Sequence, residues 1–264
     1  MKAQKPTLIE IEPTNGCNLV CKICPHGTPD SVHYPLFPKH PIKNMSLEQY
    51  KEILDSYDYE FPTIQICGTG EPLLNPNLVE MIKYSKKLAP KVELITNATL
   101  LNQETSKRLK NSGLDLLRVS IDGSDEEAYR KIRGYSLKKV TNNVRQFTNT
   151  TNIQTMINCL VTRNNSDSIR NMPDLLNRMG ANILELRLFD GGSGDSQTHS
   201  LYEQATLSEL HKEIKTKCEE LGIEFLPWEF EDYSNQDCLF NTEAHINFEG
   251  YLTPCFNTPR LKVG

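Results

Sequence analysis

Residues 7–24 read TLIEIEPTNGCNLVCKIC, and this stretch indicates both the fold and the functional loop of the chain. Its first part, Thr7–Glu12, alternates apolar and polar residues, which is typical of a β-strand with one buried face. Its second part places Cys17, Cys21 and Cys24 with three and then two residues between them. A strand that runs directly into a cysteine-bearing loop predicts a functional loop at the carboxyl end of that strand.

The segments beyond this stretch alternate between strand and helix patterns. Further strands are expected at Thr63–Cys67, Lys91–Thr96, Leu114–Ile121, Ile153–Val161 and Ile183–Phe189. Helices are expected from an N-cap at Ser46 to about Tyr57, at Pro76–Leu88, Gln103–Ser112, within Asp125–Ile132, and at Leu137–Thr148, Ser166–Met179 and Leu207–Leu221. Strands that alternate with helices pair in parallel through right-handed crossovers. The sequence therefore predicts an α/β sheet or incomplete barrel of about six βα units.

Composition narrows the class of protein. The chain has 264 residues, of which 38% are apolar and 24% charged, as in an ordinary globular protein with one core. It contains no apolar run of about 20 residues and its start lacks the apolar core of a secretory signal, so we expect a cytoplasmic protein without a membrane span. The net charge of −5 disfavours a nucleic-acid partner.

The cysteines favour metal or redox chemistry. Eight cysteines without a secretory signal argue against a disulfide framework, because a reducing compartment keeps thiols free. Thiolates are the ligands that iron–sulfur clusters select, and three of them would leave one iron of a four-iron cluster open. A structural zinc site is the alternative, with His26 as a fourth ligand beside Cys17, Cys21 and Cys24. Three incidental buried cysteines are a further alternative.

The CxxxCxxC spacing after the first strand of a βα barrel resembles the radical S-adenosylmethionine (SAM) superfamily. The resemblance covers residues 7 to about 225. It implies a partial (β/α)₆ TIM-like barrel and a [4Fe–4S] cluster on Cys17, Cys21 and Cys24 that cleaves SAM reductively to methionine and a 5′-deoxyadenosyl radical. Ile23 stands where most relatives have an aromatic residue, and the resemblance implies an adenine contact from its backbone.

The segment GTGEP at residues 68–72 resembles the superfamily's GGEP motif, with Thr69 in place of the first glycine. Gly70 permits a close backbone approach, and Glu71 offers a negative charge to an amino group. The resemblance implies that this turn binds the SAM ammonium. Taken alone, GTGEP would be an ordinary glycine turn.

Three further segments match the superfamily at successive strand ends. Asn97 lies in a TNG-like segment with Ala98 in place of glycine, and Ser120 and Asp122 lie in an S-x-D-G-like segment. Arg133 matches an arginine that in many relatives meets the methionine carboxylate. The resemblance implies that these residues bind the ribose and the carboxylate of SAM. Singly, each would be read as a turn or cap residue.

The tail carries a second cysteine pattern. Cys238, Gly250 and Cys255 have the spacing C-x₁₁-G-x₄-C, which resembles the start of the SPASM/twitch extension and its auxiliary [4Fe–4S] cluster. We therefore predict a barrel over residues 1–235 and a short cysteine-bearing hairpin, the start of such an extension, over residues 236–264. Residues 256–264 contain none of the later cysteines of the extension. Either the sequence is truncated, or an auxiliary cluster is absent or completed by unusual ligands. We therefore expect close to one cluster in the chain as given, and more in a longer natural chain. A simple hairpin with two thiols is the alternative.

The resemblance implies an enzyme that abstracts hydrogen from a peptide or a small polar substrate, with oxidation, cross-linking or epimerisation as the outcome. It also implies a flavodoxin- or ferredoxin-type electron donor. A non-catalytic binding module stabilised by zinc or a cluster is the competing hypothesis.

Overall fold

The structure is a computed structural model that describes residues 6–24, 42–162, 165–188, 204–227 and 243–253. Cys238, Cys255, His26 and residues 189–203 lie outside the described residues. No helix in the described part of the chain is both long and apolar enough to cross a bilayer.

Nine strands of the described residues form one sheet. They are β1 (Leu8–Ile11), β2 (Thr63–Ile66), β3 (Lys91–Thr96), β4 (Leu116–Ser120), β5 (Gln154–Val161), β6 (Ile183–Leu188), β7 (Glu224–Leu226), β8 (Glu243–Ile246) and β9 (Leu252–Thr253). The order is β7-β6-β5-β4-β3-β2-β1-β8-β9, and all pairs are parallel except β8–β9. This open sheet of eight parallel strands confirms the predicted partial barrel.

Eight α-helices of the described residues connect the strands. They are α1 (Leu47–Asp55), α2 (Leu78–Leu88), α3 (Gln103–Lys110), α4 (Glu126–Arg133), α5 (Leu137–Thr150), α6 (Ser166–Ile169), α7 (Met172–Met179) and α8 (Gln204–Leu221). Ser46 is the N-cap of α1 as predicted, because its hydroxyl accepts from the backbone N–H of Gln49 at 3.1 Å.

The predicted helix over residues 166–179 is wrong as one continuous element. It is two helices, α6 and α7, with Pro173 in the first turn of α7. Proline has no N–H to donate to the carbonyl of Ile169, so a continuous helix would lose a hydrogen bond and meet a steric clash there. The chain instead restarts at Asn171, whose N–H donates to Ser168 O at 3.2 Å.

Both faces of the sheet are largely buried. The apolar face, with Ile9 and Ile11 on β1 both fully buried, packs against the helices. The opposite face carries polar residues that bind one another: Gln65 Nε2 donates to Glu93 Oε2 at 2.8 Å, and Arg118 lies 3.5 Å from the same oxygen. In Thr7–Glu12 the apolar residues therefore face the helices, and the polar residues face the barrel interior rather than solvent.

The two outermost parallel strands extend the predicted sheet. The sequence did not predict β7, and it predicted a hairpin at Gly250 but not that its first strand, β8, joins the sheet. β7 pairs with β6 beyond the last predicted strand. β8 pairs with β1, in register from Leu8↔Glu243 to Ile11↔Ile246, and continues through a turn at Gly250 into β9. We call β8, this turn and β9 the C-terminal hairpin (residues 243–253). The division at residue 235 falls in a range outside the described residues and stays a prediction.

Candidate active site

A cavity of about 340 Å³ opens at the carboxyl ends of β1 to β5. This volume lies in the range of about 300–1,000 Å³ that is common for small-molecule and cofactor sites. Its lining includes the three predicted cysteine ligands, Ile23, Gly70, Glu71, Asn97, Ser120 and Arg133. Asp122 does not line the cavity, but its carboxylate forms an ion pair with Arg133, which does. Sequence segments more than 100 residues apart thus meet at one place.

The loop that carries the thiols, residues 13–24, is called the cluster loop here. Its first half is fixed by polar contacts: Thr14 Oγ1 donates to Lys43 O at 2.9 Å, and Asn75 Nδ2 donates to Pro13 O at 2.8 Å. Its second half is fixed by Lys22 N, which donates to Ile132 O at the end of α4 at 2.9 Å. These contacts hold the loop between two helix-bearing connections of the barrel.

The three thiols are partly sheltered from water. Cys21 is buried, while Cys17 and Cys24 are half-buried. Burial raises the pKa of the Cys17 thiol, against the effect of a hydrogen bond from the backbone of Leu19. Arg133 Nη1 lies 4.0 Å from Cys21 Sγ, so a positive charge faces the thiols.

Residues 68–71, called the glycine turn here, rest directly on the cluster loop. Glu71 N donates to Gly16 O at 2.7 Å. A Cβ atom on Gly70 would overlap the carbonyl oxygen of Thr14 and lie 2.7 Å from Gly16 O. Only glycine fits this position, so Gly70 serves first to let two backbone segments approach each other.

Glu71 binds protein groups with both carboxylate oxygens. Oε1 accepts from Thr96 Oγ1 at 2.6 Å and from Leu73 N at 3.0 Å, and Oε2 accepts from Asn97 N at 2.7 Å. Burial raises the pKa of the Glu71 carboxyl, and these hydrogen bonds oppose the shift. The carboxylate therefore links the glycine turn to the end of β3 while it lines the cavity.

Asn97 links the end of β3 to the cluster loop. Its Nδ2 donates to Asn18 Oδ1 at 3.0 Å, and its Oδ1 accepts from Thr99 N at 2.9 Å. Ala98, which stands where the resemblance has glycine, adopts a φ of 56°. The left-handed backbone expected for a glycine is therefore kept by an alanine, at some steric cost.

Asp122 and Arg133 form a buried ion pair. The Arg133 Nε donates to Asp122 Oδ2, and the other oxygen of Asp122 accepts from Leu160 N at 2.8 Å. Burial lowers the pKa of the Arg133 guanidinium, but Asp122, Cys21 and Tyr129 together outweigh this and hold the pKa well above its usual value. Asp122 thus orients a permanent cation at the cavity rather than lining it.

The residues present fit an iron–sulfur cluster with a bound amino-acid cofactor. Three thiols supply ligands that iron prefers, and a buried carboxylate and a guanidinium face the same space as they do. No three His, Cys, Asp or Glu side chains of the described ranges are grouped as the ligands of a single ion would be. His26 lies outside those ranges, so the zinc alternative stays a hypothesis.

Comparison with known proteins gives the family. A family model described as the radical SAM superfamily matches residues 11–176, which is more than half of the chain. The chain belongs to the radical SAM superfamily. It is therefore an enzyme of a superfamily that uses SAM and a [4Fe–4S] cluster.

Relatives of this radical SAM protein differ in their named activities. An AdoMet-dependent heme synthase of Methanosarcina barkeri is 34% identical over 49% of this chain and 35% of its own length. Another of Nitratidesulfovibrio vulgaris is 25% identical over 94% of this chain and 73% of its own. A Methanococcus aeolicus protein named as a probable GTP 3′,8-cyclase is 26% identical over 94% and 84%. The chain spans only about a third of the first of these relatives.

Solved structures share the fold. SuiB of Streptococcus suis, bound to S-adenosylmethionine, matches with a TM-score of 0.76 at 18% identity, over 96% of this chain and 60% of its own. SuiB bound to its precursor peptide SuiA matches with a TM-score of 0.77 at 17% identity, over 99% and 62%. At this identity the likeness extends to the fold and no further.

Several residues that organise the radical SAM cavity were missed in the sequence. The sequence predicts Glu12 only as the polar end of a strand, but this residue is 2% exposed and its side chain binds the glycine turn. Asn18 and Asn75 hold the cluster loop from its two sides. A carboxylate at the last position of a strand that leads into a functional loop is the one signal that could have pointed to Glu12.

Proposed function

We propose that this enzyme binds a [4Fe–4S] cluster through Cys17, Cys21 and Cys24 and uses it to cleave SAM. When bound, the cluster and SAM supply an electron transfer that yields a 5′-deoxyadenosyl radical, which abstracts hydrogen from the substrate. The observation that carries the proposal is the meeting of the three thiols, the glycine turn and Arg133 in one cavity.

The residues of the chain have separate roles in this proposal. Cys17, Cys21 and Cys24 bind the cluster and leave one iron free for SAM. Gly70 and Glu71 bind the SAM ammonium, and Arg133, oriented by Asp122, binds the methionine carboxylate as a permanent cation. Asn97 and Ser120 face the ribose, and the backbone at Ile23 faces the adenine. The apolar part of the lining, with Leu19, limits access of water to these groups.

A peptide or a small polar molecule is the proposed substrate class. The inner face of the sheet is polar, and one of its carboxylates, Glu10, lines the cavity. Elsewhere on this face Arg118 lies 3.3 Å from Glu185 Oε1 and 3.5 Å from Glu93 Oε2. Such a surface favours a substrate with several polar groups over an apolar one. The peptide-bound SuiB structure shares this fold and supports a peptide. A flavodoxin- or ferredoxin-type donor would supply the electron, and Cys238 and Cys255 would be two ligands of an auxiliary cluster.

Anaerobic reconstitution with iron and sulfide tests the proposal. We expect about four irons and four sulfides per chain, and formation of 5′-deoxyadenosine from SAM only when dithionite is added. Colourless protein with one zinc per chain and no SAM cleavage would instead favour the non-catalytic binding module. Iron binding without formation of 5′-deoxyadenosine would contradict the proposed SAM cleavage but would agree with the proposed cluster.

A further inference from the structure

Glu12 lies where three parts of the molecule meet. It follows the last residue of β1 directly, is 2% exposed, and stands between the glycine turn on one side and the C-terminal hairpin on the other. A buried carboxylate is costly unless hydrogen bonds compensate for the loss of water. The donors that surround Glu12 therefore decide what this side chain does.

One oxygen of Glu12 holds the glycine turn. Oε1 accepts from Thr69 N at 2.7 Å, from the Thr69 hydroxyl, and from Gly70 N at 3.3 Å. The side chain also packs against Gly68, where a Cβ would lie 2.5 Å from Glu12 Cγ. The backbone of the turn is thus shaped around this carboxylate.

The other oxygen of Glu12 meets the C-terminal hairpin. Oε2 accepts from Phe248 N at 3.4 Å, and the backbone N–H of Glu12 donates to Ile246 O at 2.8 Å. The hairpin is itself seated on α1, because Gln49 Nε2 donates to Glu249 O at 2.9 Å. Movement of the hairpin would therefore take away a partner of the same carboxylate that holds the turn.

We propose that Glu12 is a positioning residue that couples the seating of the C-terminal hairpin to SAM binding by the glycine turn. The inference rests on the proposed function for the identity of the ligand. If the hairpin shifts, Oε2 loses its donor, and the carboxylate must reorient to regain one. That reorientation changes the acceptor offered to Thr69 and Gly70, so the turn loses the shape that faces the cavity.

The first test measures SAM binding to the reconstituted Glu12→Gln variant by equilibrium dialysis. We expect a rise in Kd of about ten-fold, because one charged acceptor is lost. Iron content should be unchanged, and the rate of 5′-deoxyadenosine formation at saturating SAM should stay near that of the wild type. Glu80→Gln on the exposed face of α2 is the matched control and should leave Kd unchanged. An unchanged Kd in Glu12→Gln would overturn the proposal.

The second test perturbs the hairpin and leaves Glu12 intact. Gly250 has a φ of 88°, and a Cβ there would lie 3.0 Å from Gln49 Nε2, so Gly250→Ala should displace the hairpin turn. We expect weaker SAM binding in this variant and no further loss when it is combined with Glu12→Gln, since coupled sites are not additive. Gly222→Ala is the control, because Gly222 has a φ of 66° with nothing within 4 Å of its Cβ position.

Hydrogen exchange on the metal-free chain separates this inference from the proposed function. Gly250→Ala should speed amide exchange in peptides that cover residues 67–71 as well as in the hairpin itself. Faster exchange confined to the hairpin, or additive effects on Kd, would overturn the coupling. A wild type that binds no SAM, together with coupled exchange, would sink the proposed function and leave the coupling in place.

Discussion

The cluster loop and the glycine turn line the same cavity in opposite ways. The cluster loop presents side chains, the thiols of Cys17, Cys21 and Cys24, on a backbone held from outside. The glycine turn presents mainly backbone, and its shape is set by the carboxylates of Glu12 and Glu71. A side-chain site is recognisable from residue type and spacing, whereas a backbone site depends on distant groups that hold it. Substitutions in the cluster loop should therefore remove the iron, whereas substitutions in the glycine turn should weaken SAM binding.

The largest effect is expected in the cluster loop. The triple variant Cys17→Ala, Cys21→Ala, Cys24→Ala should lose nearly all iron after reconstitution and all formation of 5′-deoxyadenosine, because three thiolates are the minimum that leaves one open iron. Iron and sulfide counts with product chromatography measure this. Cys218→Ala, in the core at α8, should keep the iron. A triple variant that still holds about four irons would mean that Cys238 and Cys255 bind a cluster.

The glycine turn should fail through its backbone. In Gly70→Ala the new methyl group meets the carbonyls of Thr14 and Gly16, and backbone atoms cannot rotate away as a side chain can. Overpacking of this kind costs about 1–3 kcal/mol of stability. Because the turn relieves the overlap by giving up the shape that binds SAM, we expect SAM affinity to fall by up to about a hundred-fold. Isothermal titration of the reconstituted protein measures it. If iron content falls together with SAM affinity, the glycine turn and the cluster loop behave as one unit, and the two loops do not fail independently.

Glu71→Gln tests the carboxylate that joins the two loops through β3. The amide can accept only through one oxygen, so either Asn97 N or the pair Thr96 Oγ1 and Leu73 N loses its acceptor. With the loss of charge toward the SAM ammonium, this should weaken SAM binding by about 1.5–3 kcal/mol, or ten- to hundred-fold. Iron content should remain that of the wild type. Unchanged affinity would mean that Glu71 only shapes the turn.

The smallest effect is expected at Ala98. Ala98→Gly relieves the left-handed strain of about 1–2 kcal/mol but loses a buried methyl worth about 0.8 kcal/mol and adds about 0.4–1 kcal/mol of chain entropy. The melting temperature of the metal-free protein should therefore stay within a few degrees of the wild type. Ala98→Val, which keeps the φ of 56° but adds branching, should lower it clearly. A large gain in Ala98→Gly would mean that the strain is greater than the dihedral angle suggests.

Sequence patterns predicted the central strands and helices because their apolar periodicity is carried by local residues. They failed where a distant partner decides the structure. β8 is four residues long and is defined by its pairing with β1, and β7 is shorter still. The break before α7 was readable, since Pro173 stands inside the expected helix.

The candidate site also contains some features that local residues predict and others that depend on distant partners. The resemblance of the thiol spacing and of the GTGEP segment to the superfamily's motifs predicted that these two loops meet at the cavity. The clamps on those loops were not predictable, because Glu12, Asn18 and Asn75 act through hydrogen bonds across the barrel. A polar residue in an alternating strand could face water or the barrel interior, and only the arrangement of the paired strands in space decides between them.

The pairing of β1 with β8 has a consequence for the newly made chain. Phe248 follows Glu12 by 236 residues, so one edge of the first strand waits for almost the last described segment. At about 5–20 residues per second, this delay is about ten to fifty seconds during synthesis. Throughout that time the N–H and C=O groups of LIEI on that side can pair with another chain. A chaperone that covers this edge would act at the period of greatest risk on the ribosome.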